Sequence, residues 1–146
     1  WRVLHEGEAW LVGVSATPGT APICTLRTAN GAGDWFSFNA DGTGPDFLVL
    51  GNAGWTYPGT GQPVPIVAGF GFESRFLLDG TGVETAVTFL LPDHAETAEM
   101  FLGQFANARA IALTRRNEGT VHRFAPEGLR PAIEAWVTCV EENTGP

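Results

Sequence analysis

The chain contains no lysine, three serines and two cysteines among its 146 residues. All eight basic residues are arginine, so a phosphate-binding loop that ends in Lys-Ser/Thr cannot form. None of the serines stands in a Gly-x-Ser-x-Gly motif, which excludes the nucleophile elbow of α/β-hydrolases. No apolar run approaches the roughly 20 residues that a membrane-spanning helix needs. The sequence therefore predicts no membrane span and no phosphate-binding loop of this type.

Positive charge is also scarce. Sixteen acidic residues oppose the eight arginines and give a formal net charge of −8 at pH 7. An acidic surface repels phosphate groups, so we expect no nucleic acid among the partners. A protein or a carbohydrate ligand stays open, and the sequence does not indicate an oligomeric state.

The three histidines, His5, His94 and His122, have no metal-binding spacing. There is no His-Glu-x-x-His or Cys-x-x-Cys motif, so we predict no metal site and no cofactor. A histidine and a carboxylate could still converge in three dimensions, for instance His5 and Glu6 with His122. A small hydrolase or lyase is therefore the alternative function. A solvated turn explains His5 and Glu6 equally well.

Apolar residues make up 44% of the chain, and 19 glycines and 10 prolines interrupt the apolar runs. This length and composition indicate a single domain, residues 1–146, made of short strands separated by turns. We predict a loop over residues 51–63 and a hairpin turn at Asp79-Gly80-Thr81-Gly82. The predicted strands are residues 1–4, 10–14, 23–28, 34–39, 47–50, 64–72, 75–78, 83–90, 109–116 and 120–124.

Two helices are predicted near the end of the chain, at about 93–107 and 127–142. Asp93 has the position of an N-cap, and Asn107 that of a C-terminal stop. Phe101, Leu102 and Phe105 follow at helical spacing and should face the core. The fold class is therefore mainly β (α+β), an antiparallel β-sandwich or open barrel with two helices in the C-terminal half.

The two cysteines are predicted to form a disulfide. Cys24 lies in an early strand and Cys139 in the last turns of the terminal helix, so a bond would close a loop of 115 residues. Such a loop contributes about 4–5 kcal/mol in the chain-entropy model. A disulfide favours an exported protein, periplasmic or secreted. Two free, buried thiols are the alternative.

Aromatic residues outside the obvious core runs predict a ligand-binding surface. Trp55 and Tyr57 lie in the predicted 51–63 loop, and Trp35 begins a strand. Loops of this length without secondary structure often bind something, and exposed aromatic rings can stack on sugars or anchor a protein. The alternative is that the loop folds back and these rings cap the sandwich.

Three arginines in the predicted hairpin near the C-terminus could hold a carboxylate. Arg115 and Arg116 are adjacent, and Arg123 lies on the opposite strand of that hairpin. Guanidinium groups bind carboxylates through paired hydrogen bonds. Balancing the acidic surface is the alternative role for this group.

The last sixty residues carry a family resemblance. A strand at 83–90 is followed by a helix ending in Phe101-Leu102, a strand at 110–114, and the pattern Phe124-x-x-x-Gly128-Leu129-x-x-Ala132-Ile133. This order, with the opening Trp1-Arg2-Val3, resembles small exported proteins of the invasion-associated locus B type. The chain lacks that family's extra central cysteines and its basic character. The resemblance implies a periplasmic or secreted β-sandwich without known catalytic residues.

Taken together, these features favour an exported, non-enzymatic binding or interaction domain.

Overall fold

The computed structural model describes residues 1–42 and 45–144. Within them the chain forms ten β-strands and two α-helices. The strands are β1 (Arg2–Glu6), β2 (Trp10–Ser15), β3 (Ile23–Ala29), β4 (Asp34–Ala40), β5 (Phe47–Asn52), β6 (Tyr57–Gly69), β7 (Phe76–Glu84), β8 (Ala86–Leu90), β9 (Ile111–Arg115) and β10 (Thr120–Phe124). The helices are α1 (Ala95–Ala106) and α2 (Leu129–Thr144).

The strands join one antiparallel sheet in the order β1-β2-β3-β4-β5-β8-β7-β6-β9-β10. The first five strands follow one another across the sheet, and β8 then pairs with β5. From β8 the order runs back through β7 to β6, beyond which β9 and β10 continue the sheet. The predicted fold class is confirmed, and the sheet is open, with β1 and β10 as its edges.

Helix α1 supplies two phenylalanines that fill the space inside the curved sheet. The ring of Phe105 contacts rings from β2 and β4, and that of Phe101 contacts a ring from β7 and the ring of the residue that follows β6. Both side chains are buried, and burying one phenylalanine contributes about 1.5–3 kcal/mol. The rings around them are Trp10, Phe36, Phe38, Phe70 and Phe76.

Helix α2 is tied to β3 by the predicted disulfide, which the structure confirms. Cys24 and Cys139 are bonded, with their Cα atoms 6.1 Å apart, and both are buried beside Val14. One turn earlier on α2, the Trp136 indole N–H donates a hydrogen bond to the carbonyl of Cys24 at 3.0 Å. The covalent bond and this hydrogen bond fix α2 against the start of the sheet.

The prediction of a loop over residues 51–63 is wrong for most of its length. Gly51 and Asn52 belong to β5, and β6 already begins at Tyr57. The ladder between β6 and β7 shifts between Tyr57 and Gln62, so an irregular stretch rich in glycine and proline still pairs with a neighbour. The connection between β5 and β6 is therefore short.

The predicted hairpin turn at residues 79–82 is also wrong, because β7 runs through it to Glu84. The turn lies at Thr85, after Glu84 adopts a positive φ of 56°. Gly80 and Gly82 are needed inside the strand. A Cβ at Gly80 would overlap Val87, and a Cβ at Gly82 would overlap the ring of Tyr57.

The helix boundaries differ slightly from those predicted. His94, without a side-chain hydrogen bond, takes the N-cap position expected for Asp93, while Asn107 ends α1 as predicted. The prediction that Leu102 faces the core is wrong: its side chain is 38% exposed, because Phe101 and Phe105 form the buried side of α1. The described residues form two helices, α1 and α2, and neither is long and apolar enough to cross a membrane.

Removing the disulfide should lower the free energy of unfolding by about 4 kcal/mol, because the unfolded chain regains the freedom of a 115-residue loop. Urea unfolding of the native protein and the Cys24→Ala/Cys139→Ala double variant measures the difference. Thiol titration of the denatured, unreduced protein is the control and should find no free thiol. Two reactive thiols per chain would contradict the bond.

Candidate functional site

The inner face of the sheet is largely apolar, and at one end four polar side chains that contact one another point inward. Strand alternation brings Asp34 to the start of β4, and Asn52 lies opposite it at the end of β5. Arg115 and His122 take inward positions on β9 and β10. Asp34, Arg115 and His122 are all buried. Such groups are costly inside a protein unless they are hydrogen-bonded to one another.

Asp34, His122 and Arg115 form a continuous hydrogen-bonded chain. The distance from His122 Nδ1 to Asp34 Oδ2 is 3.0 Å, and Arg115 Nε donates to His122 Nε2 at 2.9 Å. Since guanidinium is always a donor, Nε2 must be the acceptor, and the ring proton lies on Nδ1 and points at the carboxylate. We therefore assign His122 as the neutral Nδ1–H tautomer, with both ring nitrogens occupied.

The remaining faces of Arg115 are covered as well. Its Nη1 donates to the hydroxyl of Tyr57 at 2.8 Å and forms an ion pair with Glu118. The guanidinium carbon lies 3.8 Å from the centroid of the Trp55 ring, a cation–π contact. The same indole contacts the ring of His122, with centroids 5.2 Å apart. Trp55 thus forms the lid of this polar end.

Asp34 stays ionised because its hydrogen bonds outweigh its burial. Burial alone raises the pKa of this carboxyl. Asn30, Asn52 and His122 donate hydrogen bonds to the two oxygens, at 2.9, 2.9 and 3.0 Å, and together they hold the pKa of Asp34 below the usual 3.8. The carboxylate is therefore a stable negative charge inside the protein.

This arrangement leaves little chemistry available to a substrate. A general base needs a free lone pair within hydrogen-bond reach of the substrate, and the lone pair on His122 Nε2 is used by Arg115. His122 is joined to Asp34, whereas His5 and Glu6 lie on the edge strand β1. The described residues contain no group of three or more histidine, cysteine, aspartate or glutamate side chains that could hold a metal ion.

A second candidate site lies on the outer face, where Trp35 lines a groove of about 400 Å³. The indole of Trp35 lies against Gly51 on the adjacent strand, and a Cβ at Gly51 would overlap the ring. Arg27, Glu6 and Glu8 are the charged residues of the groove. Within residues 1–42 and 45–144, the indole N–H of Trp35 has no hydrogen-bond acceptor.

The three aromatic residues predicted to share a binding surface lie on opposite faces of the sheet. Trp55 and Tyr57 are half-buried over the polar end of the interior, with ring centroids 6.1 Å apart. Trp35 is half-buried on the outer face and makes no ring contact with either of them. Their role in binding a ligand stays a prediction.

Strand alternation indicates that Asp34 and His122 are buried. The prediction that grouped His122 with His5 and Glu6 did not use this signal. Asp34 is in phase with Phe36 on a strand of clear apolar alternation, and His122 is in phase with Phe124. A charged residue in the apolar phase of a strand points into the core, where it needs a partner. The identity of that partner, 88 residues away, cannot be read from alternation.

Comparisons with known proteins find no relative of this chain. The chain matches no protein-family model, and no curated protein or solved structure is significantly similar to it. The resemblance to the invasion-associated locus B type therefore stays a prediction.

Acid should destabilise the protein through Asp34. Because the folded pKa is lowered, its contribution to stability is complete above about pH 4 and is lost as the pH falls through the folded value. Urea unfolding between pH 7 and pH 2 should show this loss in the native protein. Asp34→Asn should be less stable by about 1–3 kcal/mol at pH 7, since one of the two acceptor oxygens becomes an NH2 group that faces other donors. The variant should also lack the part of the acid-induced loss of stability that comes from Asp34.

Asp46→Asn is the matched control. Burial, followed by the nearby charge of Asp41, raises the pKa of Asp46, so protonation of Asp46 favours the folded state. The Asp46→Asn variant should retain the acid loss or show it more steeply. An Asp34→Asn variant with the same acid loss as the native protein would contradict the assignment.

The lid is expected to be structural. Trp55→Ala should cost about 2 kcal/mol or more, because it removes the cation–π contact and exposes the buried Arg115. Trp35→Ala removes a ring from the outer face and should cost less than half as much. Urea unfolding at pH 7, followed by far-ultraviolet circular dichroism, compares the two. Equal losses would show that Trp55 does not cover the polar end.

Proposed function

We propose that this chain is an exported, non-enzymatic binding domain, and that it binds a carbohydrate in the outer-face groove beside Trp35. The observation that carries the proposal is the Trp35 indole, which lies against Gly51, lines the groove and has an N–H without an acceptor in the described part of the chain. A ring backed by a strand loses little conformational freedom on binding, which favours affinity.

The groove has the composition of a sugar-binding site. An aromatic face packs against the C–H groups of a pyranose ring, while neighbouring polar groups hydrogen-bond its hydroxyls. Glu6 and Glu8 supply acceptors, Arg27 supplies donors, and the Trp35 N–H is a further donor. The groove is open along the sheet surface, which suits one or two sugar units of a longer chain.

Both ring nitrogens of His122 are hydrogen-bonded within the protein, which favours a binding function over the hydrolase or lyase alternative. A histidine whose two nitrogens contact Asp34 and Arg115 would have to give up one of these bonds before it could accept a substrate proton. The cost of leaving a buried polar group unpaired opposes that step. The groove at Trp35 does not contain His122.

Export rests on the disulfide. The bond between Cys24 and Cys139 would be reduced in most cytosolic compartments and persists in oxidising ones. A periplasmic or secreted location also gives the protein access to extracellular glycans.

Binding of soluble polysaccharides and arrayed glycans, with Trp35→Ala as the variant, tests the proposal. We expect the native protein to bind at least one glycan and Trp35→Ala to bind it roughly five- to tenfold more weakly, since an aromatic contact contributes about 1–1.5 kcal/mol. Leu77→Ala is the matched control, because Leu77 is a 70% exposed residue outside the groove and should not affect binding.

Two outcomes would overturn the carbohydrate proposal. The native protein could bind none of the glycans, or Trp35→Ala could bind as well as the native protein. Thermal unfolding of each variant verifies that a loss of binding does not reflect a loss of fold.

A further inference from the structure

A small cleft on the outer face of β6, β9 and β10 contains two arginines and, among the described residues, no acidic side chain. Its volume is about 140 Å³. Arg75 and Arg123 supply its charge, and glycines, alanines, a valine and a threonine supply the rest of its lining: Val67, Gly69, Gly71, Ala110, Ala112 and Thr114. The cleft is thus a positive site on a chain with a net charge of −8.

The sheet register brings the two guanidinium groups to the same place. Gly69, Ala112 and Arg123 form one row across β6, β9 and β10. Neighbouring strands are about 4.8 Å apart, so Gly69 and Arg123 are separated by about 10 Å, with Ala112 between them. Arg75 packs over Gly69, since a Cβ there would lie 2.9 Å from Arg75 Cδ. Two arginine side chains can therefore approach one group held above Ala112.

Arg75 is held in place by the backbone. Its Nη1 donates to the carbonyls of Phe72 and Ser74, at 2.5 and 3.2 Å. These bonds use one nitrogen of the guanidinium and leave Nε and Nη2 without a bond in the described residues. The side chain is therefore ordered before any ligand arrives, which reduces the entropy lost on binding.

Neither arginine has a carboxylate partner in the part of the chain that the structure describes. Among residues 1–42 and 45–144 the salt bridges are Arg115 with Glu118 and His122 with Asp34, and neither includes Arg75 or Arg123. Acidic residues outnumber basic ones two to one in this chain, so chance alone would favour a paired guanidinium. Arg115, which the sequence grouped with Arg116 and Arg123 as a candidate carboxylate site, points inward and pairs with Glu118.

We propose that the cleft between Arg75 and Arg123 is a binding site for a carboxylate group. Two guanidiniums match the planar pair of carboxylate oxygens, and the small residues allow the group to come close to the sheet. A monoanionic carboxylate is favoured over a phosphate dianion, because the −8 charge of the protein repels the dianion more strongly. The site is separate from the groove at Trp35 and does not depend on the carbohydrate proposal.

Titration with sodium acetate tests the proposal, with arginine side-chain ¹⁵N NMR as the readout and sodium chloride to keep the ionic strength constant. We expect saturable shifts of the Arg75 and Arg123 Nε–H signals. Arg75→Ala and Arg123→Ala should each weaken binding about tenfold or more, since each removes a charge-assisted pair. Arg116→Ala is the matched control and should bind acetate like the native protein, because Arg116 is exposed and outside the cleft.

Ala112→Met separates shape from charge. It keeps both arginines and fills the space above Ala112, so it should abolish the saturable shifts. The proposal is overturned if acetate produces shifts no different from those of chloride, or if Arg123→Ala binds acetate like Arg116→Ala. Tighter binding of inorganic phosphate than of acetate at equal ionic strength would also overturn it, because the site would then be a phosphate site.

Discussion

The carboxylate of Asp34 is a charge inside an otherwise largely apolar interior, and much of the architecture serves to satisfy it. Its donors come from the β3–β4 turn, from β5 and from the edge strand β10. β10 and β4 are far apart in the sheet order, yet His122 reaches Asp34 across the interior. Two further bonds, from Asn30 to the carbonyl of Arg123 and from Trp10 to that of Ala125, join the same regions. The backbone ladder is open, and these side chains connect its distant strands.

This network engages side chains that a substrate would otherwise be able to reach. His122 and Arg115, two side chains with obvious chemical potential, are fully engaged inside the protein, and Trp55 lies over them. Among the described residues, the outer face retains the Trp35 N–H, which has no acceptor, and the guanidiniums of Arg75 and Arg123, which have no carboxylate partner. Arginine suits both settings better than lysine would, since its planar group can stack on an indole and bind a carboxylate with two parallel bonds. The lack of lysine is thus compatible with every site described.

Local sequence patterns predict the fold class, because strand alternation and turn residues act over short distances. The disulfide is predictable because two cysteines allow only one intramolecular pairing. They fail where tertiary contacts override local preference. Gly80 and Gly82 have the sequence of a turn, but they lie in a strand because Val87 and Tyr57 occupy the space above them. Trp35 and Trp55 look alike in sequence as aromatics near strand ends. Trp35 is placed on the outer face by the phase of β4, whereas Trp55 lies in the connection between β5 and β6, where no strand alternation applies.

The protonation state of the His122 ring decides whether this residue is structural or available to a substrate. Long-range ¹H–¹⁵N NMR distinguishes a protonated ring nitrogen from one that carries a lone pair. At pH 7 we expect a proton on Nδ1, a lone pair on Nε2, and no change when a glycan that binds the protein is added. A proton on Nε2, or a His122 spectrum that changes when ligand binds, would contradict the buried network, because His122 would then be free to meet a substrate.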